Sequence, residues 1–365
     1  MGFNCGIVGL PNVGKSTLFN AVTNTTAAAA ANYPFCTIEP NIGRVPVPDE
    51  RLDTLVRIGK SAKTVPTQLE IKDIAGLVRG ASKGEGLGNK FLGAIREVDA
   101  ILQVLRCFED PDVTHVEGSV DPLRDAELIE TELLLADLES LERQTDGLIK
   151  RARGQDKDAK ARLELLERVR PAMEAGRQAR TLGLDEEERA LLAGFNLLTA
   201  KPILYVCNVD EAAAADGNEL TRRVAALAQE QQARHVVISA AIEAELSSLA
   251  EDEKAEYLAS MGLTEPGLNR VIREGHELLG LLTFFTVGPK EARAWTVHQG
   301  ASAPQAAGVI HTDFERGFIC AEVIGYDDFV RLGGEQGAKE QGRMRLEGRD
   351  YVIQDGDVCH FRFNV

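Results

Sequence analysis

The chain has 365 residues, with 41 Lys and Arg against 57 Asp and Glu, and a formal net charge of −16. A protein with this negative charge does not coat nucleic acid by bulk electrostatics. We therefore expect no DNA partner, and any RNA partner must bind at a local basic patch. No run approaches the roughly eighteen apolar residues of a membrane span, no secretory signal is present, and the six cysteines are scattered, so we expect a cytoplasmic protein without membrane partners.

The first predicted strand, Asn4–Gly9, leads directly into a phosphate-binding loop, Gly9–Thr17, with the sequence Gly-Leu-Pro-Asn-Val-Gly-Lys-Ser-Thr. In such a P-loop the backbone N–H groups curl around a phosphate chain, Lys15 faces the β and γ oxygens, and the Ser16 hydroxyl ligates Mg²⁺. The residues predicted to bind a nucleoside triphosphate here are Asn12, Val13, Gly14, Lys15, Ser16 and Thr17.

Two later segments carry the groups that a triphosphate enzyme needs around its metal. The predicted strand Gln68–Ile74 contains Asp73, which we expect to hold Mg²⁺ through water, and the N–H of Gly76 is positioned to bond the γ-phosphate. Upstream, Thr37 lies between the P-loop helix and this strand, where it is positioned to close on the metal and the γ-phosphate. These residues predict a nucleotide site that senses the γ-phosphate.

The residue after Gly76 is Leu77, at the position where Ras-like enzymes carry a water-orienting Gln. An aliphatic side chain cannot orient water, so either intrinsic hydrolysis is very slow or another group acts. Asn12 in the P-loop is a candidate ligand for a monovalent cation that replaces an arginine finger; ordinary hydrogen bonding within the loop is the alternative.

The segments Ala100–Cys107, Pro202–Asn208 and His235–Ser239 are further nearly continuous apolar strands. Strands of this kind separated by helical stretches predict an α/β fold with a parallel sheet. Residues 124–198, between the two halves, have a different composition, rich in Leu, Glu, Arg, Lys and Ala. We therefore predict a P-loop NTPase domain in two parts, 1–123 and 199–278, interrupted by an inserted antiparallel helical hairpin.

The inserted segment has a heptad-like apolar seam on each side of a break at Gly154. The seam residues are Leu134, Leu138, Leu141, Leu148, Leu163, Leu166, Val169 and Met173. A first arm of about 28 residues would project roughly 40 Å. Residues 150–170 near its tip hold eight basic and four acidic residues, which indicates either an RNA contact or a solvated helical face. The basic residues are Lys150, Arg151, Arg153, Lys157, Lys160, Arg162, Arg168 and Arg170.

The strand Pro202–Asn208 should end in the base-reading tetrad of a GTPase, but here the tetrad is Asn208-Val209-Asp210-Glu211. Val209 replaces the Lys that packs along guanine, and Glu211 replaces the Asp that accepts from guanine N1–H and N2–H₂. Loss of the Asp that binds guanine removes a preference for guanine of order 10²-fold, so ATP is the better candidate substrate. Asp210 could nevertheless restore guanine binding by a register shift. Ser239 follows the last strand and is predicted to lie on the base side.

The segment from Leu279 to the C-terminus is β-rich. Its predicted strands are Thr283–Val287, Ala292–Val297, Phe318–Val323 and Tyr351–Phe363, with short helices at Thr312–Gly317 and Tyr326–Gly333. We therefore predict a separate small domain over residues 279–365.

The P-loop, Tyr33–Asn41, Asp73–Gly88, the Asn208–Glu211 tetrad and the C-terminal residues from Ala303 through Val365 resemble the YchF/Obg-like ATPase family. The resemblance implies a C-terminal TGS domain of β-grasp type, ATP hydrolysis in preference to GTP, dependence on Mg²⁺ and K⁺, and association with the ribosome and its RNA through the helical hairpin and the TGS domain. It also implies that a loop histidine takes over water activation. The matching residue is His115, which with Lys15 forms the predicted catalytic pair.

Two other functions remain open from the residues. The first is an Obg-type GTPase, and the second is an RNA- or ribosome-binding module whose nucleotide is structural.

Overall fold

The structure, a computed structural model, describes residues 3–32, 41–74, 87–113 and 115–364. The predicted site residues Thr37 and Gly76, together with Leu77, lie outside the described residues. No helix in the described ranges combines the length and the apolar character needed to cross a membrane. The chain divides into two compact units, a larger one of Asn4–Arg44 and Glu70–Gly275, and a smaller one of Met1–Phe3, Val45–Leu69 and His276–Val365.

Strands and helices alternate through much of the described chain. The strands are β1 (Asn4–Val8), β2 (Ile42–Pro46), β3 (Thr64–Val65), β4 (Gln68–Asp73), β5 (Ala100–Arg106), β6 (Ile203–Asn208), β7 (Arg234–Ile238), β8 (Leu281–Val287), β9 (Ala292–His298), β10 (Phe318–Gly325), β11 (Arg345–Glu347) and β12 (Asp357–Phe363). The helices are α1 (Lys15–Asn32), α2 (Glu50–Gly59), α3 (Leu87–Arg96), α4 (Pro122–Arg153), α5 (Lys157–Glu174), α6 (Glu186–Ala193), α7 (Glu219–Glu230), α8 (Ala240–Leu246), α9 (Glu251–Ser260), α10 (Gly267–Leu278), α11 (Ala303–Ile310), α12 (Thr312–Arg316), α13 (Tyr326–Arg331) and α14 (Glu335–Glu340).

The larger unit is built on a six-stranded sheet in the order β2-β4-β1-β5-β6-β7. The pairs β1–β4, β1–β5, β5–β6 and β6–β7 are parallel. Every residue of β5 and β6 is buried, as expected for central strands covered on both faces. The predicted parallel α/β sheet is therefore confirmed, and the loops that follow its parallel strands gather at one edge, where ligands bind in such folds.

The predicted helical hairpin is also present in the larger unit, as α4 and α5. Asp121 caps α4, which begins at Pro122 and continues for 32 residues, about 48 Å. Gly154 ends α4, and Asp156 caps α5 by accepting from the Ala159 N–H at 3.1 Å. The seam residues pack in one hydrophobic cluster, with Leu138 and Leu163 at its partly buried edge. The heptad-like spacing therefore predicted the packing interface between the two helices.

The smaller unit contains a mixed sheet in the order β11-β10-β12-β8-β9-β3. β8 pairs antiparallel with β9 and parallel with β12. The predicted strands match β8, β9 and β10, but the last one begins at Asp357 rather than Tyr351. The reason is a turn at Asp355-Gly356, where Gly356 has φ +87°, a conformation outside the strand region.

Residues 45–69 belong to the smaller unit, whereas the sequence pattern assigned them to the first part of the P-loop domain. β3 pairs parallel with β9, and Leu52 and Leu55 of α2 pack in a core cluster with Phe285 of β8. The amphipathic pattern of α2 shows that it has a buried face but not which sheet that face covers.

Candidate nucleotide-binding site

The P-loop connects the buried strand β1 to the first turn of α1. Gly14 has φ +92° and Asn12 has φ +64°, both in the left-handed region. A Cβ atom at Gly14 would lie 2.2 Å from Asn208 Nδ2, so glycine is required here for space as well as for conformation. The loop therefore has the tight backbone path that allows N–H groups to surround a phosphate.

Asn208 holds three loops of the site together. Its Nδ2 donates to the Val13 carbonyl at 2.9 Å, and its Oδ1 accepts from the Ala240 N–H at 2.9 Å. The side chain is buried at the end of β6. Because both ends of the amide are used, the P-loop, the tetrad loop and the start of α8 are fixed to one another.

The phosphate side of the site contains an ion pair between Lys15 Nζ and Asp73 Oδ1. Parallel pairing of β4 with β1 sets Asp73 beside Ile7, just before the P-loop. Ser16 is exposed in the first turn of α1. A hydroxyl and a carboxylate are hard oxygen donors of the kind that Mg²⁺ prefers, and P-loop NTPases generally use Mg²⁺. The donor set formed by Ser16 and Asp73 therefore fits this metal.

A cavity of about 620 Å³ adjoins the P-loop, within the ordinary size range of small-molecule sites. Three groups of residues line it: the P-loop, the loop after β5, and the ends of β6 and β7. They are Asn12, Gly14, Thr17, Phe108, Glu109, Asp110, Val113, Asn208, Val209, Asp210, Glu211, Ala212, Ala240 and Ala241. The P-loop and the predicted base-reading tetrad thus share one cavity.

The tetrad residues have different environments on the wall of this cavity. Val209 is buried, and its N–H donates to the Ile238 carbonyl at 2.9 Å. Asp210 Oδ1 accepts from the Ala213 N–H at 2.9 Å and caps the short 3₁₀ turn Glu211–Ala213. Glu211 is exposed at the cavity. The carboxylate that remains available at the predicted base-reading position is therefore that of Glu211.

Ser239, predicted on the base side, lies directly before the cavity residues Ala240 and Ala241. Its side chain is buried, and its Oγ has no hydrogen-bond partner among the described residues. The loop after β7, predicted to lie on the base side, does reach the cavity, but through Ala240 and Ala241 rather than through Ser239.

Arg106 organises the cavity wall, although no motif in the sequence identified it. This side chain is only 1% exposed, at the end of β5. Its guanidinium donates to the carbonyls of Phe108 at 3.1 Å, Val113 at 2.8 Å and Asp110 at 3.2 Å. One buried cation therefore fixes the loop that supplies four cavity residues. The signal in the sequence was a single Arg at the end of a strand whose other residues, apart from Gln103, are apolar.

His115 does not line the cavity in this structure. It is 7% exposed, and its Nε2 lies 2.8 Å from Asp125 Oδ2 in the first turn of α4. Its Nδ1 accepts from the Glu117 N–H at 3.1 Å. The predicted approach of His115 to the nucleotide edge of the sheet is therefore not seen here, because both ring nitrogens have partners within the protein.

A P-loop that follows the first strand of a parallel sheet, with an acidic residue at the end of the neighbouring strand, defines a P-loop nucleoside triphosphatase of the GTPase type. Residues 4–161 match the family described as "50S ribosome-binding GTPase". Residues 281–364 match the family YchF-GTPase_C, described as "Protein of unknown function (DUF933)".

Similar proteins extend the match to the whole chain. The chain is 58% identical to the ribosome-binding ATPase YchF of Haemophilus ducreyi and 52% identical to that of Bacillus subtilis, with all of each chain covered. The solved structure of the Schizosaccharomyces pombe YchF GTPase is 39% identical with a TM-score of 0.89, covering 99% of this chain and 98% of that one. The chain belongs to the YchF family.

Proposed function

We propose that this protein hydrolyses ATP to ADP and phosphate in association with the ribosome, as a switch linked to translation. The observation that carries the choice of ATP is the tetrad on the cavity wall, which has Val209 and Glu211 where a guanine site needs Lys and Asp. A guanine site gains its specificity from paired donors and acceptors, and adenine lacks the N2 donor that the missing Asp would bind. The description of the bacterial relatives as ribosome-binding ATPases agrees with this assignment.

A GTPase is the second candidate, and the description of the Schizosaccharomyces pombe relative as a GTPase favours it. In that case Asp210 would have to supply the guanine-binding carboxylate. One of its oxygens already caps the turn that begins at Glu211, so the necessary shift would break the bond to the Ala213 N–H. This cost supports ATP as the main substrate, with weak GTP hydrolysis as a side activity.

Calorimetric titration with non-hydrolysable ATP and GTP analogues tests this choice. We expect micromolar or tighter binding of the ATP analogue and markedly weaker binding of the GTP analogue. The double variant Val209→Lys with Glu211→Asp should move the preference toward GTP. Equal affinities of the parent for the two analogues would contradict the proposal. Turnover measured with and without ribosomes separates it from the third possibility, a ribosome-binding module with a structural nucleotide.

For the chemistry, Lys15 would turn from Asp73 to the β and γ oxygens of the nucleotide. Mg²⁺ would be held by Ser16 and, through water, by Asp73, and it would neutralise charge on the phosphates when bound. We retain Thr37 and the Gly76 N–H as the groups that sense the γ-phosphate. We also retain Asn12 as a ligand of K⁺, since an amide oxygen in the P-loop suits a monovalent cation.

The water that attacks the γ-phosphorus needs an acceptor, and we assign this role to His115. The substitution His115→Ala should leave ATP and Mg²⁺ affinity near the parent values and lower turnover at least tenfold, about 1.4 kcal/mol of barrier. Single-turnover hydrolysis with and without ribosomes measures this effect. Hydrolysis at the parent rate under both conditions would remove His115 from the mechanism.

The ribosome contact that we propose lies at the tip of the helical hairpin. Half of the basic residues predicted there already have acidic partners, because Arg151, Arg162, Arg168 and Arg170 form salt bridges. The other four are exposed and form no salt bridge with any described residue; they are Lys150, Arg153, Lys157 and Lys160. These four cations remain available for phosphate groups of ribosomal RNA.

Two variants with the same charge test this contact. Replacing the four unpaired residues with Gln should weaken co-sedimentation with ribosomes and reduce the slope of its salt dependence by about 0.7–0.9 for each RNA phosphate that is no longer bound. Replacing the four paired Arg residues with Gln removes the same charge and should have the smaller effect. Equal effects of the two variants would show that only net charge matters. Neither variant should change ATP affinity.

We propose a second ribosome contact on the C-terminal domain, residues 279–365, assigned as a TGS domain. The edge strand β11 exposes Leu346 (68% exposed), and β10 exposes Ile319 (58% exposed). β10 and β11 pair with one another, and we choose these two exposed apolar side chains as the candidate contact residues of this domain. The variants Leu346→Ser and Ile319→Ser should weaken ribosome co-sedimentation without a change in melting temperature, whereas unaltered sedimentation would exclude a contact through these two residues.

A further inference from the structure

A buried His–Asp pair joins the loop of the nucleotide cavity to the base of the helical hairpin. Asp125, in the first turn of α4, is 1% exposed and accepts from His115 Nε2–H at 2.8 Å. Because His115 Nδ1 accepts from the Glu117 N–H, the ring proton must lie on Nε2. Both nitrogens are thus used within the protein, and in this arrangement neither can accept a proton from water.

Arg124 provides a second link between the same turn of α4 and the same loop. Its guanidinium donates to the Ser119 carbonyl at 2.6 Å and to the Ser119 hydroxyl at 3.0 Å. It also donates to Asp125 Oδ1 at 3.1 Å. The first turn of α4 therefore holds the loop at His115 and again at Ser119.

The other end of this loop is part of the cavity. Phe108, Asp110 and Val113 line the cavity, and their carbonyls are held by Arg106. α4 itself is continuous from Asp125 to the basic tip. A displacement of α4 along or across its axis would therefore act directly on the partner of His115.

We propose that Asp125 is a positioning residue that holds His115 away from the cavity, and that displacement of α4 by a ribosome bound at the hairpin tip releases His115. This inference rests on the proposed catalytic role of His115 and on the proposed ribosome contact. It explains why a residue expected to activate water is buried and fully hydrogen-bonded. It also gives the helical hairpin a role in controlling hydrolysis in addition to binding.

The test compares Asp125→Ala and Asp125→Asn with the parent. Removing the acceptor should raise basal ATP hydrolysis about tenfold and reduce the further stimulation by ribosomes. Asp125→Asn keeps an oxygen that can accept from His115 Nε2–H, so its basal rate should lie between that of the parent and that of Asp125→Ala. The ATP affinity measured by calorimetry should stay within about twofold of the parent for both variants.

A structural measurement and a control variant accompany these rates. Hydrogen exchange at the Glu117 and Gly118 amides should accelerate in Asp125→Ala, because the loop loses its anchor. Asp137→Ala is the matched control. Asp137 is another buried carboxylate of α4, but it accepts from Leu198 and Thr199 instead of the loop. Its removal should lower the melting temperature and leave the basal rate and loop exchange unchanged.

The outcomes distinguish the positioning role of Asp125 from the catalytic role of His115. If Asp125→Ala gains activity and His115→Ala in the same background abolishes the gain, the positioning role is supported. If Asp125→Ala folds, binds ATP and shows an unchanged or lower basal rate while His115→Ala is inactive, the positioning role alone is wrong. If His115→Ala hydrolyses ATP at the parent rate, the catalytic role of His115 is wrong, and the release mechanism is overturned with it.

Discussion

Arg106 offers a direct test of how the cavity wall is held. The substitution Arg106→Met keeps most of the side-chain length in the buried site but removes every donor. The carbonyls of Phe108, Asp110 and Val113 then lose their partner at 3.1, 3.2 and 2.8 Å. We expect the protein still to fold, but the loop 108–113 should no longer be held in one position.

The size of the effect follows from these three bonds. A hydrogen bond to a charged group contributes about 1.5–3 kcal/mol. Phe108, Asp110 and Val113 are all partly exposed, so their carbonyls can regain water, and the Met side chain avoids the cost of a buried cation. We therefore expect a net destabilisation of about 2–4 kcal/mol rather than the full sum. Since bound ATP must then order the loop, its affinity should fall at least tenfold, about 1.4 kcal/mol.

Urea unfolding and calorimetric ATP titration measure the two effects. Arg106→Lys, which keeps the charge but loses the planar fork, should give intermediate values. The control is Arg234→Met on β7, whose guanidinium forms a surface salt bridge with Glu274, and its stability should stay within about 0.5 kcal/mol of the parent. If Arg106→Met binds ATP as tightly as the parent, the buried Arg does not shape the cavity.

Three further substitutions test other parts of the structure. Lys15→Ala removes the cation that faces the phosphates, so calorimetry should detect ATP binding at least 100-fold weaker, while the melting temperature changes little because the pair with Asp73 is partly exposed. Gly14→Ala places a Cβ 2.2 Å from Asn208 Nδ2 at φ +92°, so ATP binding should be lost and stability reduced by about 1–3 kcal/mol, and normal binding would contradict the steric argument. Leu141→Ala opens a cavity between α4 and α5 and should cost about 2–5 kcal/mol in urea unfolding without lowering ATP affinity.

The sequence determined the features that depend on short stretches of chain. The P-loop could be recognised because its glycines, Lys15 and Ser16 must follow one another in a fixed order between a strand and a helix. The seam of the hairpin could be recognised because the helical repeat brings Leu134, Leu141 and Leu148 to one face. The buried strands β5 and β6 could be recognised because both faces of a central parallel strand are apolar.

Only the tertiary structure decided the contacts between distant parts of the chain. The bond of Asn208 to Val13 joins residues 195 positions apart, and no local pattern specifies such a pairing. The same holds for residues 45–69, whose apolar face packs in the smaller unit. For His115, the family resemblance implied a chemical role, but its partner Asp125 depends on where the first turn of α4 meets the loop. Side-chain chemistry and periodicity are local properties of the sequence, whereas a hydrogen-bond partner is chosen by the packing of the whole unit.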